Sequence, residues 1–444
     1  MTGPARFRGV NGRWARLTLS TYRLVGRAIY PFMGPFLRVR ANRGKEDRLR
    51  RYERYGYASA ERPQGPLVWF HAASVGDSMA VMPLIERISG HGIRSIMTTG
   101  TVTSAELVRD RLPRNTFHQY VPLDLDRAVS RFLDHWKPDL AVFTESEIWP
   151  ATVMEMGARR IPQVLVNARM SDRSFARWSQ APALALALFE NVSHVIAQSE
   201  TDAERFRQLG ARPVTVSGNL KVDTPGLPYD ARELADFQSA IHGRPVWIAA
   251  STHAGEEQIA VNVHRVLAER LPDLLTVIVP RHPERGTEVA GIARQGGLVA
   301  SRRSLGQEIS DGTQVYVGDT IGEMGLYLRL AQVAFMGRSL VAKGGQNPLE
   351  PASTGVAILS GKAVHNFRDS YANLLAAGAA RLVRDEEMLA ANVEYLLLNP
   401  QERAKMVEAA GQVLTDMRGA LDRTVEVLDA YVFPLTVKRD LEGL

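Results

Sequence analysis

Short apolar runs alternate with longer amphipathic stretches along most of this chain. Between residues 66 and 219 the apolar runs are LVWFHAA, IRSIMTTG, FHQYVPL, LAVFTES, QVLVNA, HVIAQS and VTVSGN. Each leads through a turn of polar or small residues into a helical pattern such as DSMAVMPLIERI or TSAELVRDRL. Runs that are apolar at nearly every position are typical of strands buried on both faces of a parallel sheet. The pattern therefore predicts a doubly wound, Rossmann-like α/β domain.

The same pattern resumes after one interruption. The stretch KVDTPGLPYDARE has prolines, a glycine and no periodicity, which marks a boundary near residues 222–230. Apolar runs then return as VWIAAST, LTVIVPR, GLVAS, VYVGD, VAFMGRS and VAILSG. We therefore predict two α/β domains, at residues 56–224 and 225–430, and a tail at 431–444. Because ligands bind at the carboxyl ends of the strands in such sheets, we expect the site in an interdomain cleft.

Residues 1–55 differ from the rest of the chain in charge. They hold 14 arginines and lysines against three acidic residues, whereas the remainder carries a net charge of −5. Their apolar stretch, LTLSTYRLVGRAIYPFMGPFLRVRA, is interrupted by Arg23 and Arg27, although a spanning helix needs roughly 18 nearly uncharged residues. We therefore predict a basic, amphipathic, membrane-associating helix that lies on an anionic membrane surface. The alternative is an ordinary helix packed on the body.

Composition and charge distribution exclude several kinds of chemistry. The chain has no cysteine, which rules out disulfides, thiolate metal ligands and thiol nucleophiles. None of the ten histidines forms a pair at the four-residue spacing typical of a zinc site on a helix. Because the basic charge is confined to the N-terminal segment, the body is not expected to bind nucleic acid. We predict no metal and no cofactor.

Charged residues follow several apolar runs of the first domain. On spacing alone we favour a helix cap over a general base for Asp77 in HAASVGDSMA, because aspartate is among the best N-caps. The same position can nevertheless present a carboxylate to a substrate.

Glu145 and Glu147 flank a serine in FTESEIWP, and their mutual repulsion predicts a neutralising cation or donor. The alternative is a cluster of acids at a helix start. Lys221 follows the run VTVSGN at the linker and could reach a phosphate.

The second domain carries a basic turn and two glycine-rich turns. Arg281 follows the run LTVIVP, and arginine suits bidentate contact with phosphate or carboxylate. The stretches VGDTIGEMG and MGRSLVAKGGQNPLEPAS contain glycines that allow close approach of the backbone and present N–H groups to a phosphate. Glu350 could bind a ribose diol. Neither stretch matches a dinucleotide or P-loop pattern, and purely structural turns are the alternative.

Taken in order, these motifs resemble those of the 3-deoxy-D-manno-octulosonic acid (Kdo) transferases, which are two-domain glycosyltransferases of the GT-B type. The resemblance rests on HAASVGD, TTGT, ESEIWP, GNLKVD, RHPER, DTIGEMG and GGQNPLEPAS, over about residues 15–430. It implies a GT-B fold and transfer of Kdo from CMP-Kdo to a lipid A precursor, lipid IVA, in lipopolysaccharide core synthesis. It also implies a location at the cytoplasmic side of a bacterial inner membrane.

The resemblance implies roles for individual residues. Asp77 occupies the position of the general base that deprotonates the acceptor hydroxyl, and Glu145 and Lys221 are expected to stabilise developing charge. The residues expected to hold CMP are Pro280, Arg281, Ile321, Gly322, Glu323, Asn347, Pro348, Leu349 and Glu350. The implied reaction inverts the anomeric carbon by direct displacement, and the departing phosphate would be stabilised by Arg281 and the N–H groups of the glycine turns.

One position departs from the family's pattern. The family usually has glutamate after SVG, where this chain has Asp77. Aspartate is shorter by one carbon, about 1.5 Å, and a misplacement of ~1 Å can lower a rate ~100-fold. Two alternatives stay open. One is a GT-B transferase that uses another nucleotide sugar, which the two-domain pattern allows. The other is a non-catalytic paralogue that binds CMP or lipid, which the aspartate allows.

Overall fold

Fourteen strands form two parallel sheets in the computed structural model, which describes residues 12–109, 111–223, 226–341 and 344–443, with side chains from residue 18 onward. The first sheet holds β1 (Leu67–Ala72), β2 (Arg94–Thr99), β3 (Thr116–Tyr120), β4 (Leu140–Thr144), β5 (Gln163–Ala168), β6 (His194–Ala197) and β7 (Val214–Val216). The second holds β8 (Val246–Thr252), β9 (Leu275–Pro280), β10 (Ala300–Arg302), β11 (Val315–Val317), β12 (Val333–Met336), β13 (Ala357–Gly361) and β14 (Ala380–Val383). The first thirteen overlap the predicted apolar runs, and the predicted α/β class is confirmed.

Helices fill most of the connections between strands. They are α1 (Gly12–Ile29), α2 (Met33–Asn42), α3 (Val75–Gly90), α4 (Val102–Arg109), α5 (Asp126–Trp136), α6 (Pro150–Ala158), α7 (Asp172–Ser179), α8 (Pro182–Phe189), α9 (Glu200–Gln208), α10 (Ala231–Ile241), α11 (Glu256–Ala268), α12 (Gly286–Gln295), α13 (Met324–Leu330), α14 (Leu349–Thr354), α15 (Arg368–Ala376), α16 (Glu386–Leu398), α17 (Pro400–Met417) and α18 (Ala420–Leu441). Short 3₁₀ helices span Tyr30–Phe32, Arg51–Tyr55, Leu220–Val222, Pro283–Arg285, Arg303–Leu305 and His365–Phe367.

The central strands are buried along their whole length because they are apolar at consecutive positions. Every residue of β1 and of β8 is buried, as expected for a parallel sheet covered by helices on both faces. In the first sheet, the Trp69 ring packs against Phe132 of α5 and Phe143 of β4, with ring centroids 4.5 and 4.8 Å apart. Burial of each such side chain contributes about 1.5–3 kcal/mol.

The strand order shows where each sheet is expected to bind ligands. The first sheet has the order β3-β2-β1-β4-β5-β6-β7, and the second has the order β10-β11-β9-β8-β12-β13-β14. Chain order therefore reverses between β1 and β4 in one sheet and between β8 and β12 in the other. In open α/β sheets a crevice forms at such a switch point, outside the carboxyl ends of the strands. We therefore expect ligand-binding residues on the turns after these four strands.

The chain divides into two compact units, one of Met1–Thr224 with Arg418–Leu444 and one of Pro225–Met417. The C-terminal boundaries predicted from the sequence need correction, since α18 belongs to the first unit rather than to the second domain and a tail. Its apolar face, including Leu428 and Val432, is buried in the same core as Phe70 of β1. The Asp223 carboxylate also accepts the backbone N–H of Leu421 at 2.6 Å. The prediction followed the order of the chain and therefore placed α18 after the second sheet. Its apolar face is instead buried in the core of the first unit.

The predicted N-terminal segment also divides into two parts. Its last ten residues, 46–55, pack on the edge of the first sheet instead of forming part of a separate amphipathic element. The fully buried Glu53 carboxylate accepts the Tyr120 N–H at 2.7 Å, which covers edge strand β3. Arg54 forms a buried ion pair with Glu46 at 3.0 Å. The boundary placed at residue 55 therefore lies within the body of the first unit.

Within the described ranges, no helix combines the length and the apolar character that a membrane span requires. Residues 1–11 of the predicted membrane-associating segment lie outside those ranges.

Candidate functional site

The turn after β1 brings Asp77 into the first turn of α3 without making it the cap. Ser74 is the N-cap, with an extended backbone at φ −109° and ψ 167°. The Ser74 hydroxyl accepts the Asp77 N–H at 3.3 Å and donates to Asp77 Oδ2 at 2.5 Å. The cap interpretation therefore applies to Ser74, and Asp77 Oδ1 is directed to a partner outside the helix.

That partner is Lys221, which lies between two carboxylates from neighbouring strand ends. Lys221 Nζ is 2.9 Å from Asp77 Oδ1 and 2.7 Å from Glu145 Oε1. β1 and β4 are adjacent at the switch point, so the residues that follow them meet at one edge. Lys221 itself lies in the 3₁₀ helix Leu220–Val222, where the Asn219 side chain accepts its N–H at 3.0 Å. The structure thus brings together the three predicted catalytic residues, and Lys221 is the cation expected beside the acids.

The electrostatics of this acid–lysine cluster keep Asp77 and Lys221 charged at neutral pH. Burial raises the pKa of Asp77, but the Lys221 ammonium and the Ser74 hydrogen bonds outweigh burial and hold the pKa below its usual value. Burial lowers the pKa of Lys221, but Glu145 and Asp77 together raise it above its usual value. The three side chains are 13–20% exposed. The cluster is therefore desolvated enough to strengthen its ion pairs and open enough to meet a substrate.

Two amide side chains fix Glu145 and Lys221 in place. Gln198 Nε2 donates to Glu145 Oε1 at 3.2 Å and to the Asn167 carbonyl oxygen at 2.9 Å. Asn167 Oδ1 accepts the Leu220 N–H at 3.0 Å, directly before Lys221. Glu145 and Asn167 have φ angles of 57° and 50°, in the left-handed region that non-glycine residues rarely adopt. Neither amide was predicted from the sequence, in which the available signal was an asparagine inside an apolar strand.

In the second unit, predicted CMP-binding residues lie on turns at the carboxyl edge of the sheet. Pro280 ends β9, and the Arg281 N–H donates to the Thr252 carbonyl oxygen at the end of β8 at 3.0 Å. The Arg281 side chain is exposed. After β11, Ile321 is 61% exposed and Gly322 has a φ angle of 90°. Such a φ angle favours glycine. Arg281 and the Ile321–Gly322 tip are therefore accessible at this edge.

Glu323, also predicted to hold CMP, pairs with three side chains of the second unit. Arg303 Nε donates to Glu323 Oε1 at 3.1 Å, Tyr327 donates to Oε2 at 3.0 Å, and Thr320 makes a further hydrogen bond. Burial raises the pKa of Glu323, but these hydrogen bonds lower it more, so the pKa lies below its usual value. Glu323 therefore fixes the turn that exposes Ile321 and Gly322.

The remaining predicted residues surround the start of α14. Asn347 Nδ2 donates to Glu350 Oε1 at 3.3 Å, and Asn347 Oδ1 accepts the Leu349 N–H at 3.2 Å. Pro348 and Leu349 are buried, whereas Asn347 and Glu350 are half-buried. The polar pair is therefore the part of this motif that is placed to meet a ligand.

One buried carboxylate holds together two turns at the switch point of the second sheet. It was not predicted from the sequence. Glu256, at the start of α11, is 1% exposed and accepts four backbone N–H groups. The donors are His253 at 2.9 Å, Arg338 at 2.7 Å, Ser339 at 2.9 Å and Leu340 at 3.1 Å. Glu256 thus ties the turn after β8 to the turn after β12. In the sequence, AGEEQ gives only the ordinary signal of acids at a helix start.

Over the ranges that the structure describes, no group of three or more histidine, aspartate or glutamate side chains is arranged to hold a metal ion.

Comparisons with known proteins establish the family. Residues 49–224 match the family described as 3-deoxy-D-manno-octulosonic-acid transferase (kdotransferase). A 3-deoxy-D-manno-octulosonic acid transferase of Haemophilus influenzae is 34% identical over 407 residues, which cover 90% of this chain and 95% of the relative. The chain belongs to the Kdo transferase family. A relative of the same name from Bordetella pertussis is 34% identical over 430 residues, covering 93% of this chain and 99% of the relative. The chain is accordingly a glycosyltransferase.

A solved structure outside the family shares the fold of this Kdo transferase. The UDP-GlcNAc 2-epimerase of Neisseria meningitidis, bound to UDP-GlcNAc, matches with a TM-score of 0.54 and 14% sequence identity. The match covers 82% of this chain and 99% of the epimerase. At this identity the likeness shows the fold alone.

Proposed function

We propose that the chain transfers Kdo from CMP-Kdo to a sugar hydroxyl of a lipid A precursor, lipid IVA, and inverts the anomeric carbon. The observation that carries the proposal is the acid–lysine cluster of Asp77, Lys221 and Glu145. It holds an ionised, partly exposed carboxylate at the switch point of the first sheet. A sugar transferase needs such a group to accept the proton of the acceptor hydroxyl.

Asp77 is the general base in this proposal. It takes the proton as the acceptor oxygen attacks the anomeric carbon, and the bond from that carbon to the phosphate oxygen breaks with its electron pair, so that CMP leaves. Because its pKa lies below the usual value, Asp77 accepts the proton only as the new bond forms and the hydroxyl becomes acidic. Lys221 keeps its pairing with Glu145 when Asp77 becomes neutral, so no buried cation is left alone.

The second unit supplies the donor contacts. We infer that the exposed Arg281 guanidinium binds the phosphate of CMP, since arginine presents donors in a geometry that matches phosphate. The glycine turn at Gly322 allows backbone approach, and Asn347 and Glu350 offer polar groups to the ribose. No metal or cofactor takes part in this proposal, and activity in the presence of EDTA is the expected result.

The N-terminal helices are proposed to lie on the cytoplasmic surface of a bacterial inner membrane. Leu24, Phe32 and Phe36 are 67%, 70% and 52% exposed on α1, the following 3₁₀ helix and α2. The basic residues are not all available for lipid, because Arg23 and Arg27 lie 2.9 and 3.5 Å from Asp126. Exposed apolar side chains next to further arginines suit an anionic interface. We expect the full chain to sediment with vesicles of anionic lipid and to remain in the supernatant with vesicles of neutral lipid.

The decisive experiment is a transfer assay with the full chain. CMP-Kdo and a tetraacylated lipid A precursor are incubated with the protein, and CMP release and product mass are followed. We expect a product heavier by one or more Kdo units. No Kdo-lipid product at high protein concentration contradicts the proposal. A thermal shift with UDP or GDP but not CMP then favours another nucleotide sugar, and CMP binding without turnover favours a non-catalytic paralogue.

A further inference from the structure

Trp149 has an exposed side chain and follows Glu145 of the acid–lysine cluster in the turn after β4. It occupies the N-cap position of α6 but makes no side-chain cap hydrogen bond. Asp124 performs that task instead, because its carboxylate accepts the N–H groups of Ala151 at 3.0 Å and Thr152 at 2.8 Å. The indole is nevertheless 39% exposed, only four residues after Glu145. Helix capping therefore does not explain a large aromatic side chain at this edge.

Glu147 fixes the orientation of that indole. Trp149 Nε1 donates to Glu147 Oε2 at 2.8 Å, so the only polar atom of the indole is already paired. The Glu147 side chain is 21% exposed, and its Oε1 atom has no hydrogen-bond partner in the ranges that the structure describes. One oxygen is thus used to orient the ring, and the other is available to a ligand.

His71 lies behind Glu147 on the buried side. Its ring is 1% exposed, and Nδ1 lies 3.1 Å from the Thr98 carbonyl oxygen and 3.0 Å from the Thr98 hydroxyl oxygen. Nε2 is directed at Glu147 Oε2, 3.6 Å away, and has no hydrogen-bond partner among the described residues. A buried, unpaired ring nitrogen is costly unless the site uses it. His71 and Trp149 therefore both face Oε2, and Oε1 is left without a hydrogen-bond partner among the described residues.

We propose that Glu147 and Trp149 form a subsite for a pyranose ring of the acceptor, with His71 as a positioning residue behind Glu147. The C–H face of the sugar stacks on the indole, and a sugar hydroxyl donates to Glu147 Oε1. A fixed aromatic ring adds little conformational entropy cost to binding. An acyl chain is the poorer occupant, because it would desolvate the carboxylate without a donor. The inference rests on the proposed function, since it concerns the acceptor of the same reaction.

The test separates acceptor binding from turnover. The full chain and its Trp149→Ala, Trp149→Phe and Glu147→Gln variants are assayed with the tetraacylated precursor and with its deacylated headgroup, a glucosamine disaccharide bisphosphate. We expect Trp149→Ala to raise the acceptor KM at least about fivefold, with a smaller effect on kcat and none on the KM of CMP-Kdo. Trp149→Phe should recover part of the loss. Phe433→Ala, which removes a 69% exposed aromatic ring from α18, is the matched control.

Binding is also measured without the donor, by titrating the headgroup and following tryptophan fluorescence in the parent and in Trp149→Phe. If Kdo is transferred but Trp149→Ala leaves the KM of both acceptors unchanged, the subsite is wrong and the proposed function stands. A rise in KM for the acylated precursor alone would show an acyl-chain contact and overturn the sugar subsite. If the headgroup quenches the fluorescence of Trp149 but no Kdo is transferred, the subsite stands and the proposed function fails.

Discussion

The carboxylates at the two switch points have different partners and different exposure. In the first unit, Asp77 and Glu145 share the Lys221 ammonium, and all three side chains are partly exposed. In the second unit, Glu256 is buried and accepts four backbone N–H groups. The cluster in the first unit remains accessible to a substrate, whereas all the contacts of Glu256 serve to fix two turns. The same sheet topology thus places an exposed charge cluster at one edge, where we propose the reaction, and a carboxylate that shapes two turns at the other, where we propose donor binding.

The difference follows from what each arrangement does to a carboxylate. An ion pair with a side-chain ammonium tolerates the arrival of a proton at Asp77, because Lys221 retains Glu145 as a second partner. Four fixed N–H groups do not, since protonation of Glu256 would leave buried donors without acceptors. We therefore expect substitutions in the first unit to act on the chemical step and its pH dependence. Substitutions at Glu256 should act on donor binding and stability.

The largest expected effect is that of Asp77→Asn. The amide cannot accept the proton, so kcat/KM should fall about 1,000-fold, within the range for loss of a general base. Binding of CMP, measured by calorimetry, should be unchanged because the donor contacts that we propose lie in the second unit. Asp77→Glu is the matched variant and should keep the activity within about tenfold of the parent, since it preserves the carboxylate. If Asp77→Asn retains the activity of the parent, Asp77 is not the base.

A smaller loss, with a change in pH dependence, is expected for Lys221→Met. Without the ammonium, burial and repulsion from Glu145 raise the pKa of Asp77 from its lowered value. A base works only when deprotonated. In the parent, we expect the acid limb of the pH profile of kcat/KM below the usual aspartate pKa of about 3.9. In Lys221→Met this limb should move to higher pH. The rate at neutral pH should fall about 100-fold, as for loss of one stabilising donor.

Lys438→Met is the control for Lys221→Met in the same unit. Lys438 lies 2.8 Å from Asp139, with its side chain 48% exposed. Its loss should leave both the rate and the acid limb in place, because an exposed pair contributes little. An acid limb that does not move in Lys221→Met would show that Asp77 is not held by Lys221 in solution.

The sequence predicted which strand ends carry charge, but not which side chains touch. Most of strands β1 to β13 were recognisable because they are apolar at consecutive positions. β14, the run ARLV, was missed because Arg381 interrupts it and only its first and last residues are buried. The contact between Asp77 and Lys221 joins residues 144 positions apart. Spacing along the chain contains no information about such a pair, which depends on the order of strands in the sheet.

The supporting residues were less predictable than the charged ones. Gln198 and Asn167 act through hydrogen bonds to Glu145 and to the backbone of Leu220, and Glu256 acts through backbone N–H groups only. A polar residue that satisfies remote backbone groups leaves no local pattern, because its partners are set by the fold. The motifs of the family therefore indicated the residues for which we propose a role in the reaction, but they gave no sign of the residues that hold them.

Glu256→Gln is expected to have the smallest effect on the rate. It tests whether Glu256 holds the turns after β8 and β12 in the conformation that binds the donor. The amide replaces one acceptor oxygen with an N–H₂ group, which then faces backbone N–H donors and leaves them unpaired. Each unpaired buried donor costs about 1–3 kcal/mol, so we expect a thermal midpoint about 5 °C lower. The KM of CMP-Kdo should rise about tenfold as the turns loosen. The acid limb should stay where it is in the parent, because Asp77 keeps its partners.

Glu257→Gln separates this effect from general destabilisation of α11. Glu257 is also fully buried, but its partners are the side chains of Arg285 and Thr252 instead of the backbone of the two turns. Breaking that ion pair should also lower the thermal midpoint, because it leaves a guanidinium partly buried, while the KM of CMP-Kdo changes less than in Glu256→Gln. If both variants raise the KM equally, loss of stability explains the result. If only Glu256→Gln does so, the carboxylate shapes the donor edge, as its four backbone contacts indicate.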